Sequence, residues 1–95
     1  MPPAEPAVHV TATGPRSYRV EVDGAAATST HQVEVPDGYE AELGLAAVAL
    51  DELVRASFDF LLEREPASSI LRRFRLDVIE RYFPEYRTEI AGYVA

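Results

Sequence analysis

Two histidines, sixteen carboxylates, five serines and nine arginines are the side chains that could do chemistry in this chain, which has neither cysteine nor lysine. The missing thiol excludes disulfides, zinc–thiolate centres and cysteine nucleophiles. The missing lysine excludes a Schiff-base amine and the lysine of a phosphate-binding loop. His9 falls close to a proline-rich start, and His31 alternates onto one side of a strand with Val33 and Val35. A general base or metal ligand needs a partner, and Glu34 points to the opposite side of that strand. His31 is therefore expected to be a structural, sheet-edge residue. Asp59 and Glu63 stand four apart on one helix face and could share a hard cation. The plainer reading is a solvated face salted by Arg55 and Arg64. No serine sits in a Gly-x-Ser-x-Gly elbow, and no histidine follows Ser57, Ser68 or Ser69, so Ser-His-Asp catalysis is not expected in a monomer. The glycines are scattered near turns and build no phosphate cradle. Catalytic residues, a bound metal and a cofactor are accordingly not expected.

Arginines and aromatics gather late in the chain. Arg72, Arg73, Arg75, Arg81 and Arg87 lie among Phe74, Tyr82, Phe83, Tyr86 and Tyr93. Tyrosine beside arginine is the composition of interface hot spots. The residues that stand out for an interaction surface are Arg72, Arg73, Arg75, Tyr82, Phe83, Tyr86 and Arg87. The competing reading pairs these arginines with the acidic stretch 51–65 of the same chain or of a second copy. For the aromatics, the competing reading is a core at helical spacing.

The elements that must position them follow from periodicity. Residues 1–6 carry three of the seven prolines and read as a disordered lead. Val8, Val10 and Ala12 alternate weakly, and Thr13-Gly14-Pro15 is a turn signal. Tyr18, Val20 and Val22 alternate cleanly with Arg19, Glu21 and Asp23, as a half-buried strand requires. Asp23-Gly24 opens a loop running to Ser29, with a mobile tip expected, and Thr30 to Val35 alternates again. The result is an antiparallel hairpin, or a three-stranded meander if residues 7–12 join. A short helical turn is expected over 37–43, stopped by Gly44. Leu50, Leu53, Val54, Phe58 and Leu61 form one apolar stripe of a helix within 47–65, which Pro66 ends. Phe60 and Leu62 lie off that stripe, so the helix is expected to be covered on more than one side. Ser68 or Ser69 could cap a short helix carrying Ile70, Leu71 and Phe74. Asp77 with Glu80 is a capping-box-like start for Val78, Ile79, Tyr82 and Phe83. Residues 85–92 could be helical. Strands followed by helices make an α+β domain, spanning 7–95, in which the sheet packs against a C-terminal layer of about three helices.

Residues 32–65 weakly resemble a ribbon-helix-helix DNA-binding unit. Gln32-Val33-Glu34-Val35-Pro36 looks like its strand, and Ala49-Leu50-Asp51-Glu52-Leu53-Val54-Arg55-Ala56-Ser57 like the start of its second helix. The resemblance covers about a third of the chain. It implies a dimer with paired strands in the DNA major groove, Gln32 and Glu34 reading bases. The chain differs from that pattern at Glu34, a carboxylate facing a polyanion. It differs again at Asp51 and Glu52, where the family presents a helix amino end to phosphate.

The net charge of −7 disfavours nonspecific binding to nucleic acid or anionic membrane. No apolar run approaches the roughly 20 residues of a membrane span. The opening Met-Pro-Pro-Ala-Glu-Pro has neither the basic nor the apolar region of a secretory leader, so a cytoplasmic location is expected. The composition thus points to a small non-catalytic interaction or regulatory module, acting through its C-terminal helices on a partner protein or on a second copy. The alternatives are a ribbon-helix-helix-like regulator and a carboxylate-based metal protein or enzyme.

Overall fold

Alternation of β-branched and polar residues builds the sheet. The computed structural model describes residues 7–24 and 27–94, so the expected disordered lead and most of the hairpin tip lie outside the described residues. Strands β1 (Ala7–Gly14), β2 (Ser17–Asp23), β3 (Thr28–Glu34) and β4 (Arg73–Arg75) lie side by side in that order. The first three form the expected meander, with Val8 opposite Val22, Val10 opposite Val20 and Tyr18 opposite Val33. The register shifts between Ala12 and Gly14, where the chain turns. Val8, Tyr18, Val20, Val22, His31, Val33 and Phe74 are buried on one face. Thr11, Arg19, Glu34, Arg73 and Arg75 are exposed, and their alternation with the buried set places them on the other face.

The fourth strand departs from expectation. Residues 67–69 form only a 3-10 turn, and Arg73–Arg75 adds to the sheet parallel to β3, Phe74 beside Val33, instead of continuing a helix. Phe74 is buried between two exposed arginines, the period of a strand. Three residues are too few for that period to be legible, and a parallel partner must arrive from far along the chain.

The long helix α2 (Leu50–Leu62) crosses the covered face. Asp51 and Glu52 stand in its first turn, where they complement the helix dipole; no side chain caps it. Phe58 faces the sheet, its ring 5.3 Å from His31 and 6.0 Å from Phe74. Phe60 faces the other way and meets Phe83, Tyr86 and Tyr93 edge-on, at 6.1, 5.2 and 5.6 Å. The helix is thus covered on two sides, as its off-stripe aromatics require.

Short elements supply the second cover. Helix α1 (Tyr39–Glu42) is framed by Gly38 and Gly44 at φ of 77° and 73°, a region where a side chain would be strained. Arg16 anchors it from the β1–β2 turn, donating to the Val35 and Pro36 carbonyls and to both carboxylate oxygens of Glu40. A 3-10 turn (76–78), α3 (Ile79–Tyr82), α4 (Tyr86–Glu89) and a second 3-10 turn (90–93) complete the layer. Asp77 does not cap α3. One oxygen meets Arg75 at 3.3 Å, and the other is buried with no partner among the described residues.

Candidate interaction cleft

The groups that could do chemistry are held apart. Among the described residues no three His, Cys, Asp or Glu side chains are grouped as a metal site requires. His31 is buried on an interior strand rather than at a sheet edge. Its Nδ1 donates to the Leu71 carbonyl at 2.8 Å, leaving Nε2 to accept from the Ser29 hydroxyl at 2.8 Å. His9 is exposed and meets Asp23 at 3.1 Å. Ser57 is fully buried, donating to the Leu53 carbonyl and accepting from Tyr86, each at 2.7 Å. Asp59 is exposed on α2, and Glu63 is exposed just past its end. Gln32 and Glu34 lie on β3, which has β2 on one side and β4 on the other. Over Gln32–Glu34 that strand therefore has no free edge for the strand pairing of a ribbon-helix-helix dimer.

The arginines sort by whether the chain satisfies them. Arg87 bridges Glu80 at 3.2 Å and Glu42 at 3.7 Å, and donates to the Glu42 carbonyl. Glu80 also accepts from the buried Tyr39 hydroxyl, which with Arg87 holds its carboxyl below the ordinary value. Arg64 lies 3.6 Å above the Phe60 ring and pairs with Glu85 and Glu89. Internal pairing therefore joins the end of α2 to the C-terminal layer mainly through Arg64, in the turn that follows the helix. Arg75 pairs with Asp77 on the open sheet side. Arg72 and Arg73 are exposed and make no ion pair among the described residues.

Beside Arg72 opens an apolar cleft of about 320 Å³. Leu61 and Glu65, at the end of α2, form one wall; Ile70, Leu71 and Phe74 form the next; Val78, Ile79, Tyr82 and Phe83 close it. Leu71 is 48% exposed and Tyr82 69%, the large hydrophobics most open to solvent among the described residues. Glu65 is the one carboxylate in the lining, and burial pushes its carboxyl above the ordinary range. Leu71 is fixed through its backbone by His31, so the rim is tied to the core.

Of the residues singled out in the sequence, Tyr82 and Phe83 line the cleft, Arg72 adjoins it next to Leu71, and Arg73 lies on the opposite, open face of the sheet. Arg75 and Arg87 are engaged within the chain. Tyr86 is a correction: it is fully buried, hydrogen-bonded to Ser57 and packed on Phe60, and so belongs to the core. Leu71, Glu65 and Val78 were not legible as site residues. Leu71 reads as one more apolar residue beside Ile70, and only the turn into β4 leaves it outside.

Comparisons with protein-family models, with curated proteins and with solved structures found no match to this chain.

Proposed function

We propose that this protein is a small non-catalytic interaction or regulatory module that docks an apolar segment of a partner protein in the cleft between α2, β4 and α3. The carrying observation is that Leu71 and Tyr82, the most exposed large hydrophobics among the described residues, line the same cleft. Exposed apolar surface costs free energy unless something covers it. A tyrosine on the rim of an apolar cleft can anchor a partner at small entropic cost.

The occupant that fits is an amphipathic segment, with apolar anchors for the cleft and acidic residues at its flank. Arg72, exposed beside Leu71, makes no ion pair among the described residues, although the chain's net charge is −7. Facing charges of that kind speed association and fix orientation. Glu65 favours a hydrogen-bond donor on the ligand, because burial desolvates its carboxylate and it forms no ion pair among the described residues.

The test compares proteins retained from cell extract by three tagged forms: wild type, Leu71→Asp with Tyr82→Ala, and Arg19→Ala on the open sheet face. The reading expects a partner held by wild type and by Arg19→Ala, and lost from the cleft variant while its circular dichroism is unchanged. A retained set that is identical for all three forms contradicts it.

A further inference from the structure

The outer edge of β1 is unpaired among the described residues. Its backbone phase follows from its neighbours. The Val35 N–H bonds the Arg16 carbonyl at 2.9 Å, so in the β2–β3 register Tyr18, Val20 and Val22 turn their backbone groups to β3. Arg19 and Glu21 then face β1, where their partners are Thr11 and His9. Val8, Val10 and Ala12 are left with N–H and C=O groups pointing outward. Arg55 bears this out by donating to the Val8 carbonyl at 2.9 Å. Val10 and Ala12 have no backbone partner on that side among the described residues.

Exposed sheet edges are ordinarily guarded by lysine, proline or an inward charge. From Ala7 to Gly14 there is no lysine, proline or carboxylate, in a chain of net charge −7. Cover also fades along the strand on the core side: Val8 is buried, Val10 half-buried and Ala12 exposed.

We infer that β1 pairs antiparallel with β1 of a second copy, joining two four-stranded sheets into one across a twofold axis. Arg55 occupies Val8, and the register shift lies beyond Ala12, so the free backbone groups are those of Val10 and Ala12. Pairing Val10 with Ala12 of the second copy uses all of them and sets Thr11 opposite Thr11 at a non-hydrogen-bonded position. No like charges meet, and the exposed Ala12 side chain comes beside Val10 of the other copy. This contact uses a different surface from the cleft, so either can fail without the other.

Thr11→Cys tests the register directly, since the chain has no other cysteine. Facing residues at such a position stand about 4.5 Å apart between Cα atoms, within reach of a disulfide. Oxidised glutathione is expected to convert Thr11→Cys to a covalent dimer, while Thr30→Cys, on the same face of β3, stays monomeric. Thr11→Glu gains Arg19 opposite it within one copy but sets two carboxylates across the axis. Ala12→Pro removes an outward N–H and no ladder bond to β2. Each should lower the dimer association constant by about tenfold or more in sedimentation. Equal cross-linking of the two cysteine variants, or a wild-type chain that sediments as a monomer at millimolar concentration, overturns the proposal.

Discussion

Removing the Ser57 hydroxyl should cost more than so small a group suggests. Ser57 and Tyr86 are both fully buried, and Ser57 already donates to the Leu53 carbonyl, so the Tyr86 hydroxyl is the donor between them. Ser57→Ala leaves that hydroxyl buried and unpaired, at about 1–3 kcal/mol. Alanine's better helix propensity returns roughly 0.5 kcal/mol, leaving a net loss of about 0.5–2.5 kcal/mol. Tyr86→Phe takes the donor away instead, and Ser57 keeps its bond to Leu53, so the loss is about 0.5–1.5 kcal/mol. In the double variant nothing is orphaned, and the expected loss is close to that of Tyr86→Phe alone. The coupling between the sites is therefore about 1 kcal/mol or more. Urea unfolding of the four proteins, followed by circular dichroism, reads these differences, and a melt shows them as about 4–8 °C per kcal/mol. Additive losses, or a Ser57→Ala protein as stable as wild type, would refute the placement of Tyr86 in the core.

Three further outcomes follow from the same geometry. His31→Leu strands the Leu71 carbonyl and the Ser29 hydroxyl, and should cost about 1–3 kcal/mol with faster amide exchange at residues 70–72 by NMR; unchanged exchange there would deny that His31 holds the cleft rim. The carboxyls of Glu40 (hydrogen-bonded by Arg16), Glu80 (by Tyr39, then Arg87) and Glu85 (by its own backbone, then Arg64) are held below their ordinary value. Their stabilisation is complete above the unfolded value of about 4.3 and is lost as pH falls through the lower folded values, so the urea midpoint should drop on acidification. Glu65 acts in the opposite sense, its contribution lost as pH rises through its raised value, and Glu65→Gln should flatten that side of the profile.

The sheet was legible where alternation ran long enough. Tyr18 to Asp23 and Thr30 to Val35 announce one buried face, and the faint pattern of Val8, Val10 and Ala12 is explained by the thinning cover over β1. The α2 stripe and the stray Phe60 together predicted a helix between two layers, and its three edge-on aromatic contacts are that second layer. Strand β4 was hidden because Arg-Phe-Arg is too short to show a period, and its pairing with β3 is made across the whole of α2. Tyr86 was hidden for a related reason. Helices of four residues carry no stripe, so nothing local separates its inward direction from the outward one of Tyr82. The arginine cluster was visible as composition, but which members remain unpaired depends on Glu42 and Asp77, contacts that only the folded chain sets.

A partner seated in the cleft beside Tyr82 is the central claim. A photo-reactive phenylalanine placed at position 82 in cells, and at position 19 on the open sheet face as control, measures this most directly. The expected result is a cross-linked partner at position 82, absent at position 19 and abolished by Leu71→Asp, with the attached peptide apolar and acid-flanked when sequenced by mass spectrometry. The same cross-links at both positions, or a product at 82 that survives Leu71→Asp, would contradict it.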